Sequence, residues 1–381
     1  MANAPAEGRA DLIADFRALA RDTALGVCTS TALRNCNLWQ HWCEFCVSLN
    51  LDQYLSNLAD PVPILQLYAR RYRTGTIAPS QHEVRSRTVE QALRAIGQTF
   101  TSMGAEDPRL NTFGKIDFRI QRQLAAYKKQ DPPPSRVKPI PLPIIQHAAT
   151  MCYRAGTAEL EATADMLVLG FFFLLRPGEY AATSNPDSTP FRIRDVHLFI
   201  GPQKLHPLTA PAPELLAATF VGMEFTDQKN GVRGEVIGLA RSGSHFWCPV
   251  AAVVRRILAL RACNTTVDTP LYAYWSARSS RWCAVTSSHL TTHLRAATRF
   301  RGAHFGVLPE DVSARSLRSS GAMALLCSNM DSDRIRLLRC WRSNEMLRYL
   351  HVQAYPVVSH IAATMLQHGN FNFIPNHAFG N

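Results

Sequence analysis

Arg176 in FFFLLRPGEY, Arg318 in ARSLRSSGAMAL and Tyr349 in CWRSNEMLRYLH are the residue types that breaking a DNA phosphodiester calls for. The bond hydrolyses very slowly unaided, so a protein that cuts it must supply a nucleophile, a clamp for the non-bridging oxygens and an acid for the departing oxygen. Guanidinium suits the clamp because it stays charged and forks onto phosphate through two parallel hydrogen bonds. A tyrosine that attacks phosphorus becomes joined to the strand end, which keeps the bond energy for resealing without ATP. This chemistry calls for no metal and no other cofactor.

Glu179 follows Arg176 by three positions. Lys229 lies in TDQKNG between two β-like runs, ATFVGMEF and VRGEVIGLA, and Arg315 opens the string RSLR that ends in Arg318. This order resembles the tyrosine recombinase (phage integrase) family. Arg176 and Glu179 look like the family's R-x-x-E box, RSLR resembles its H-x-x-R box with arginine in the histidine position, and Lys229 falls where the family keeps its leaving-group lysine on a hairpin. Trp341 resembles the His or Trp that precedes the nucleophile. Tyr349 follows Arg318 by 31 positions, about the family interval. CPVAAVVRRIL and the terminal WRS-x5-Y resemble recombinases of crypton-type mobile elements more than bacterial ones.

Two departures stand out. Arginine at 315 keeps its proton, so it cannot act as the general base that a histidine might be. Trp341 precedes Tyr349 by eight positions, one fewer than the family pattern. On a helix that single step turns a side chain by about 100°.

Each residue also has an ordinary reading. Arg176 ends an apolar stretch, where an arginine must be paired or face a ligand, and Glu179 is the natural partner for a purely structural ion pair. Lys229 in a turn is solvent-exposed by default, Arg318 could be a plain first-turn residue, and Trp341 could pack a core. Tyr355, just before Pro356, competes with Tyr349 as nucleophile. Tyr349 is favoured because a short helix capped by Ser343 would carry it. His289, His293 and His304 lie upstream, and the sequence does not say whether any of them reaches the site.

The chain has 381 residues, which predicts two domains, since single cores rarely grow past about 250 residues. Its net charge of +12 favours a polyanionic partner. Residues 1–60 hold 4 Lys/Arg against 7 Asp/Glu, and residues 61–138 hold 14 against 6, so the excess sits in the second half of the N-terminal region. Arg70, Arg71, Arg73, Arg85, Arg87, Lys128 and Lys129, with Arg136 and Lys138 further on, are the expected DNA contacts.

The first residues, MANAPAEGRADLIADF, lack a basic start and an apolar run, so no secretory signal is expected. The longest apolar stretch, Met166 to Leu175, is far short of the ~20 residues a bilayer demands. Ten irregularly spaced cysteines predict buried thiols in a reducing compartment, hence an intracellular protein, nuclear if the source is eukaryotic and otherwise cytoplasmic. Cys43 and Cys46 form a lone C-x-x-C without a second pair, which favours core packing over a metal site.

The predicted fold is mainly α with a small β-sheet. Residues 1–130 read as a helical bundle, including a helix from Thr29 whose stripe is Leu33, Cys36, Trp39, Cys43 and Val47, and another after Pro79 with Val89, Leu93, Ile96 and Phe100 on one side. Residues 131–143, DPPPSRVKPIPLP, hold six prolines and predict a stiff connector. Residues 144–381 read as a mixed α/β domain with strands near 191–200, 218–226 and 232–240 and helices near 249–262, 286–299, 312–328, 332–340 and 344–352. An exposed loop is expected at 201–217. The resemblance makes the first region a core-binding domain and the second a catalytic domain, closing on duplex DNA as a clamp. It also implies that the terminal apolar helix, in PVVSHIAATMLQ, docks into a neighbour within a DNA-bound homo-tetramer, although a helix folded back on its own domain satisfies the sequence equally.

The expected function is site-specific DNA cleavage and rejoining through a 3′-phosphotyrosyl intermediate, as in DNA recombination and integration. The alternatives are a recombinase-derived DNA-binding protein with impaired catalysis and, further off, a type IB topoisomerase-like enzyme.

Overall fold

The computed structural model describes residues 26–132, 138–185, 187–226, 233–328, 330 and 361–371, with scattered positions between 11 and 23. Lys229, Arg136, Trp341 and Tyr349 lie outside the described residues, as do the two helices expected at 332–340 and 344–352. The described part is mainly helical with a small antiparallel sheet. It falls into two compact units, Met1–Pro134 and Ser135–Asn381.

The first unit contains α1 (Thr29–Ser48), α2 (Val62–Arg73), α3 (Ser86–Ser102) and α4 (Phe118–Gln130). Proline opens α2, where a missing N–H costs nothing, and Asp117 caps α4 by accepting from the Arg119 N–H at 2.8 Å. Val89, Leu93, Ile96 and Phe100 of α3 are all buried, as its spacing predicts. On α1 the expected stripe is displaced. Leu33 and Val47 are exposed, and the buried face is Leu38, Trp42, Phe45 and Cys46. The helix carries two apolar stripes, and the one with the larger rings prevails, because Trp42 and Phe45 both pack edge-on against Tyr68, at 5.3 and 5.2 Å between ring centres. Cys46 belongs to that core.

The second unit is built around α6 (Ala158–Phe172), in which every residue from Ala162 onward is buried. Around it lie α5 (Leu142–Arg154), the one-turn α7 (Pro177–Tyr180), α8 (Ala212–Ala217), α9 (Pro249–Arg261), α10 (Ser287–Arg301), α11 (Ser316–Cys327) and α12 (Ile361–His368). The strands β1 (Val196–Ile200), β2 (Gln203–Leu205), β3 (Phe220–Phe225) and β4 (Glu235–Ala240) form one antiparallel sheet in the order β2-β1-β3-β4. A separate hairpin joins β5 (Ala273–Ser276) and β6 (Arg281–Ala284).

One expectation is corrected here. The segment 201–217 is not an open loop: it supplies β2 and α8, because Leu205 and Leu215 find room in the core. The apolar face of the terminal helix is spent within its own unit, with Ile361, Ala362 and Met365 of α12 buried and the Gly369 carbonyl accepting from the Leu142 N–H at 2.8 Å. No helix among the described residues is long and apolar enough to cross a membrane.

Candidate active site

Arg176 owes its position to the way α6 ends. After Phe173 the chain turns through Leu174 at φ +51°, and the N–H groups of Leu174 and Leu175 return to the carbonyls of Phe171 and Gly170. Glycine usually fills such a left-handed position; a leucine there costs about 1–2 kcal/mol. Burial of the Leu174 side chain offsets the cost. The reversal delivers Arg176 in extended geometry to the start of α7, where Glu179 accepts from the Arg176 N–H at 2.6 Å and from its Nη1 at 3.0 Å. Arg176 keeps 33% of its side chain exposed and Glu179 only 9%, so the guanidinium is held from behind while one side faces outward.

Arg318 reaches the same place from α11. That helix crosses α6 at two glycines. A methyl on Gly170 would meet Leu317 at 2.8 Å and the Tyr180 ring at 2.9 Å, and one on Gly321 would collide with the Phe171 carbonyl. The Tyr180 hydroxyl donates to the Ala314 carbonyl at 2.8 Å and sets α7 against the loop that opens α11. Ser320 closes the corner, accepting from the Ile140 N–H and donating to the Ser316 carbonyl, both at 2.7 Å.

The electrostatics show the two arginines sharing one carboxylate. Burial, reinforced by the Arg176 charge, brings Arg318 down to about 10, while Glu179 pulls it back. Burial likewise pushes the Glu179 carboxyl up, against the Arg176 N–H and the charges of Arg176 and Arg318. Two like charges and one opposite charge leave a net positive cluster that an additional anion would relieve. Arg315, one residue before α11, is exposed, and its N–H donates to Ser313 Oγ at 3.3 Å.

Arg176, Glu179 and Arg318 are therefore brought together, and Arg315 stands at the adjoining helix start. His289 Nδ1 lies 3.5 Å from Glu159 Oε1, and His293 feels the same two groups. Glu159 is in the first turn of α6, about 20 Å of helix away from the end that carries Arg176. A cavity of about 580 Å³ beside Phe300, Arg301 and His304 includes none of the arginine cluster.

The basic surface of the first unit is also sorted. Arg70, Arg85, Arg87, Lys128 and Lys129 are exposed, and Arg71 is half-buried against the Phe45 ring at 5.7 Å. Arg73 departs from expectation: it is 5% exposed. It donates to the Val84 carbonyl and pairs with Asp131 at 2.5 Å and Glu83 at 3.0 Å. Its place on the inner face of α2 makes it a structural clasp. Lys138 is likewise engaged, its Nζ 2.7 Å from Asp311 and its N–H on the Asp311 carbonyl.

Sequence reading missed Tyr180 as the strut between α7 and α11, although its position directly after the R-x-x-E string was a usable signal. It also left the β5–β6 hairpin unassigned, where Tyr-Trp-Ser and Arg-Trp-Cys offered only a short alternation.

No protein-family model matches the chain, and no curated protein is significantly similar to it.

Proposed function

We propose that this chain breaks and rejoins DNA strands through a tyrosine nucleophile, in the manner of the tyrosine recombinases that its motifs resemble. The observation that carries the reading is the convergence of Arg176 and Arg318, distant in sequence, on one buried carboxylate at the end of α6. A structural salt bridge needs one arginine; a second, crowded against the first at an electrostatic cost, is what a phosphate clamp requires.

In this mechanism Tyr349 attacks the scissile phosphorus, losing its phenolic proton to solvent and forming the tyrosyl O–P bond as the bond to the 5′ oxygen breaks. Arg176 and Arg318 hold the non-bridging oxygens, and Lys229 gives a proton to the departing 5′ oxygen. Arg315 adds charge but not base, and Trp341 completes the pocket. The first unit contributes the exposed cations Arg70, Arg85, Arg87, Lys128 and Lys129 to the DNA backbone, with Arg136 in the connector. The products are the DNA rearrangements of recombination and integration.

The test is a covalent-complex gel with a suicide duplex nicked near the exchange point. Wild type should leave DNA attached after denaturation, and Tyr349→Phe should abolish the attachment while binding persists. An adduct that survives the substitution would refute the assignment. The exposed Arg315 in the histidine position favours one other reading, a recombinase-derived DNA-binding protein, and absence of any adduct from wild type with binding intact would select it.

A further inference from the structure

The β5–β6 hairpin stands apart from the four-stranded sheet and carries Trp275 and Trp282 directly opposite one another, their rings edge-to-face at 5.7 Å. They are 37% and 40% exposed. Tyr274 and Cys283 take the other face of the hairpin and are covered to a greater degree. Arg278 in the turn and Arg281 beside it are exposed. No acidic residue occurs between Thr269 and Pro309, a stretch that holds five arginines.

A cross-strand tryptophan pair also steadies a two-stranded hairpin in its own right. That explains the pairing but not the arginines at the tip. The base of this hairpin is fixed to the arginine cluster: Ala182, just past α7, donates to the Val285 carbonyl at 2.9 Å and accepts from the Ser287 N–H at 3.0 Å. Inside the base, buried Arg256 donates to the carbonyls of Leu271 and Ala273. Main-chain hydrogen bonds thus join the segment that follows Arg176 to the base of a hairpin whose tip is exposed. One turn of helix, a short link and four strand residues span at most about 25 Å, or roughly seven base pairs at about 3.4 Å each.

We infer that the hairpin is a second DNA contact of the catalytic unit: Arg278 and Arg281 engage phosphates of the duplex flanking the bound phosphodiester, and the Trp275–Trp282 pair lies against sugars and base edges there. Double-stranded DNA is the occupant because it matches the charge and offers apolar surface between its phosphates. The inference rests on the proposed clamp only for where along the duplex the hairpin falls.

The full chain is titrated with a 40-base-pair duplex across a salt series, reading affinity by anisotropy and tryptophan emission in parallel. Neutralising two phosphate contacts in Arg278→Ala/Arg281→Ala should lower the slope of log affinity against log salt by about 1.8. DNA should quench wild-type emission, and Trp275→Phe/Trp282→Phe, which keeps an aromatic pair, should lose most of that change. An unaltered slope together with an unaltered quench, in variants whose circular dichroism matches wild type, overturns the inference. The two proposals separate cleanly. A normal Tyr349 adduct with slope and quench both unaltered sinks the hairpin alone, a reduced slope without any adduct sinks strand cleavage alone, and failure to bind duplex sinks both.

Discussion

Glu179 holds Arg176 twice, through the main-chain N–H at 2.6 Å and the side-chain Nη1 at 3.0 Å, while the charge of Arg318 bears on the same carboxyl. The carboxylate is what allows two guanidinium groups to share one small volume. Glu179→Gln removes the charge but keeps the shape. Losing one charge-assisted hydrogen bond costs about 1.5–3 kcal/mol, so covalent-adduct formation should slow by about ten- to a hundredfold. Single-turnover rates on the suicide duplex measure it, and an unchanged rate would remove Glu179 from the site's support.

Arg176→Ala and Arg318→Ala should behave alike despite their distance in sequence. In the proposed mechanism each deletes one clamp for the phosphate oxygens, with an expected loss of about 10²–10³ in the cleavage rate. Affinity should fall modestly, with a salt slope shallower by about one. A variant that loses binding and cleavage in equal measure would mark its arginine as an ordinary backbone contact.

Tyr180 acts on the site by position. Tyr180→Phe leaves the buried Ala314 carbonyl with only the longer bond from the Leu317 N–H at 3.4 Å and frees α11 to shift against α7, so on the proposed mechanism the cleavage rate should drop with DNA affinity unchanged. Gly170→Ala presses on Leu317 and Tyr180 in the same joint and should give the same pattern. The comparison of the two rates with the two affinities is the measurement, and a loss confined to affinity would contradict it.

Arg73 and Arg70 are near neighbours on α2 with opposite expected phenotypes. Arg73→Ala breaks a buried, hydrogen-bonded ionic clasp and should destabilise the first unit by about 3 kcal/mol in a denaturant titration. Arg70→Ala is exposed and should alter stability by less than about 0.5 kcal/mol while lowering DNA affinity. An equal effect on stability would reverse their assignments.

That contrast shows how far residue types and spacing carried. The core of α3 was legible because its apolar residues repeat on a single face, and the R-x-x-E and RSLR strings single out Arg176 and Arg318 as letters. Their closeness was not legible, since it depends on Gly170 and Gly321 admitting one helix to the surface of another. Arg70, Arg71 and Arg73 look equivalent as letters, and only the rotation of α2 separates the clasp from the surface. The stripe on α1 misled because two apolar faces compete there and ring size decides between them.

Asp165 makes stability depend on pH. It is buried in α6, accepts from Arg255 Nε at 2.8 Å and Nη2 at 2.6 Å, and burial still outweighs the Arg255 and Arg256 charges, raising its carboxyl from 3.8 to about 6. Between those values the folded chain holds a proton that the unfolded chain releases. The stabilising contribution of this group is therefore complete below about pH 4 and lost as pH climbs through about 6. Denaturation midpoints of wild type should show this decline, and Asp165→Asn should flatten it; parallel curves for the two proteins would exclude Asp165 as the source.

Leu174 gives the second unit a particular way of failing. Its left-handed backbone persists because the surrounding side chains confine it, and relaxation to a right-handed turn would let α6 run on and carry Arg176 off its bearing. Warming the protein should thus misplace Arg176 while most of its helices are still intact, so that the lifetime of the arginine cluster tracks the tightness of an oily corner rather than the melting of the molecule.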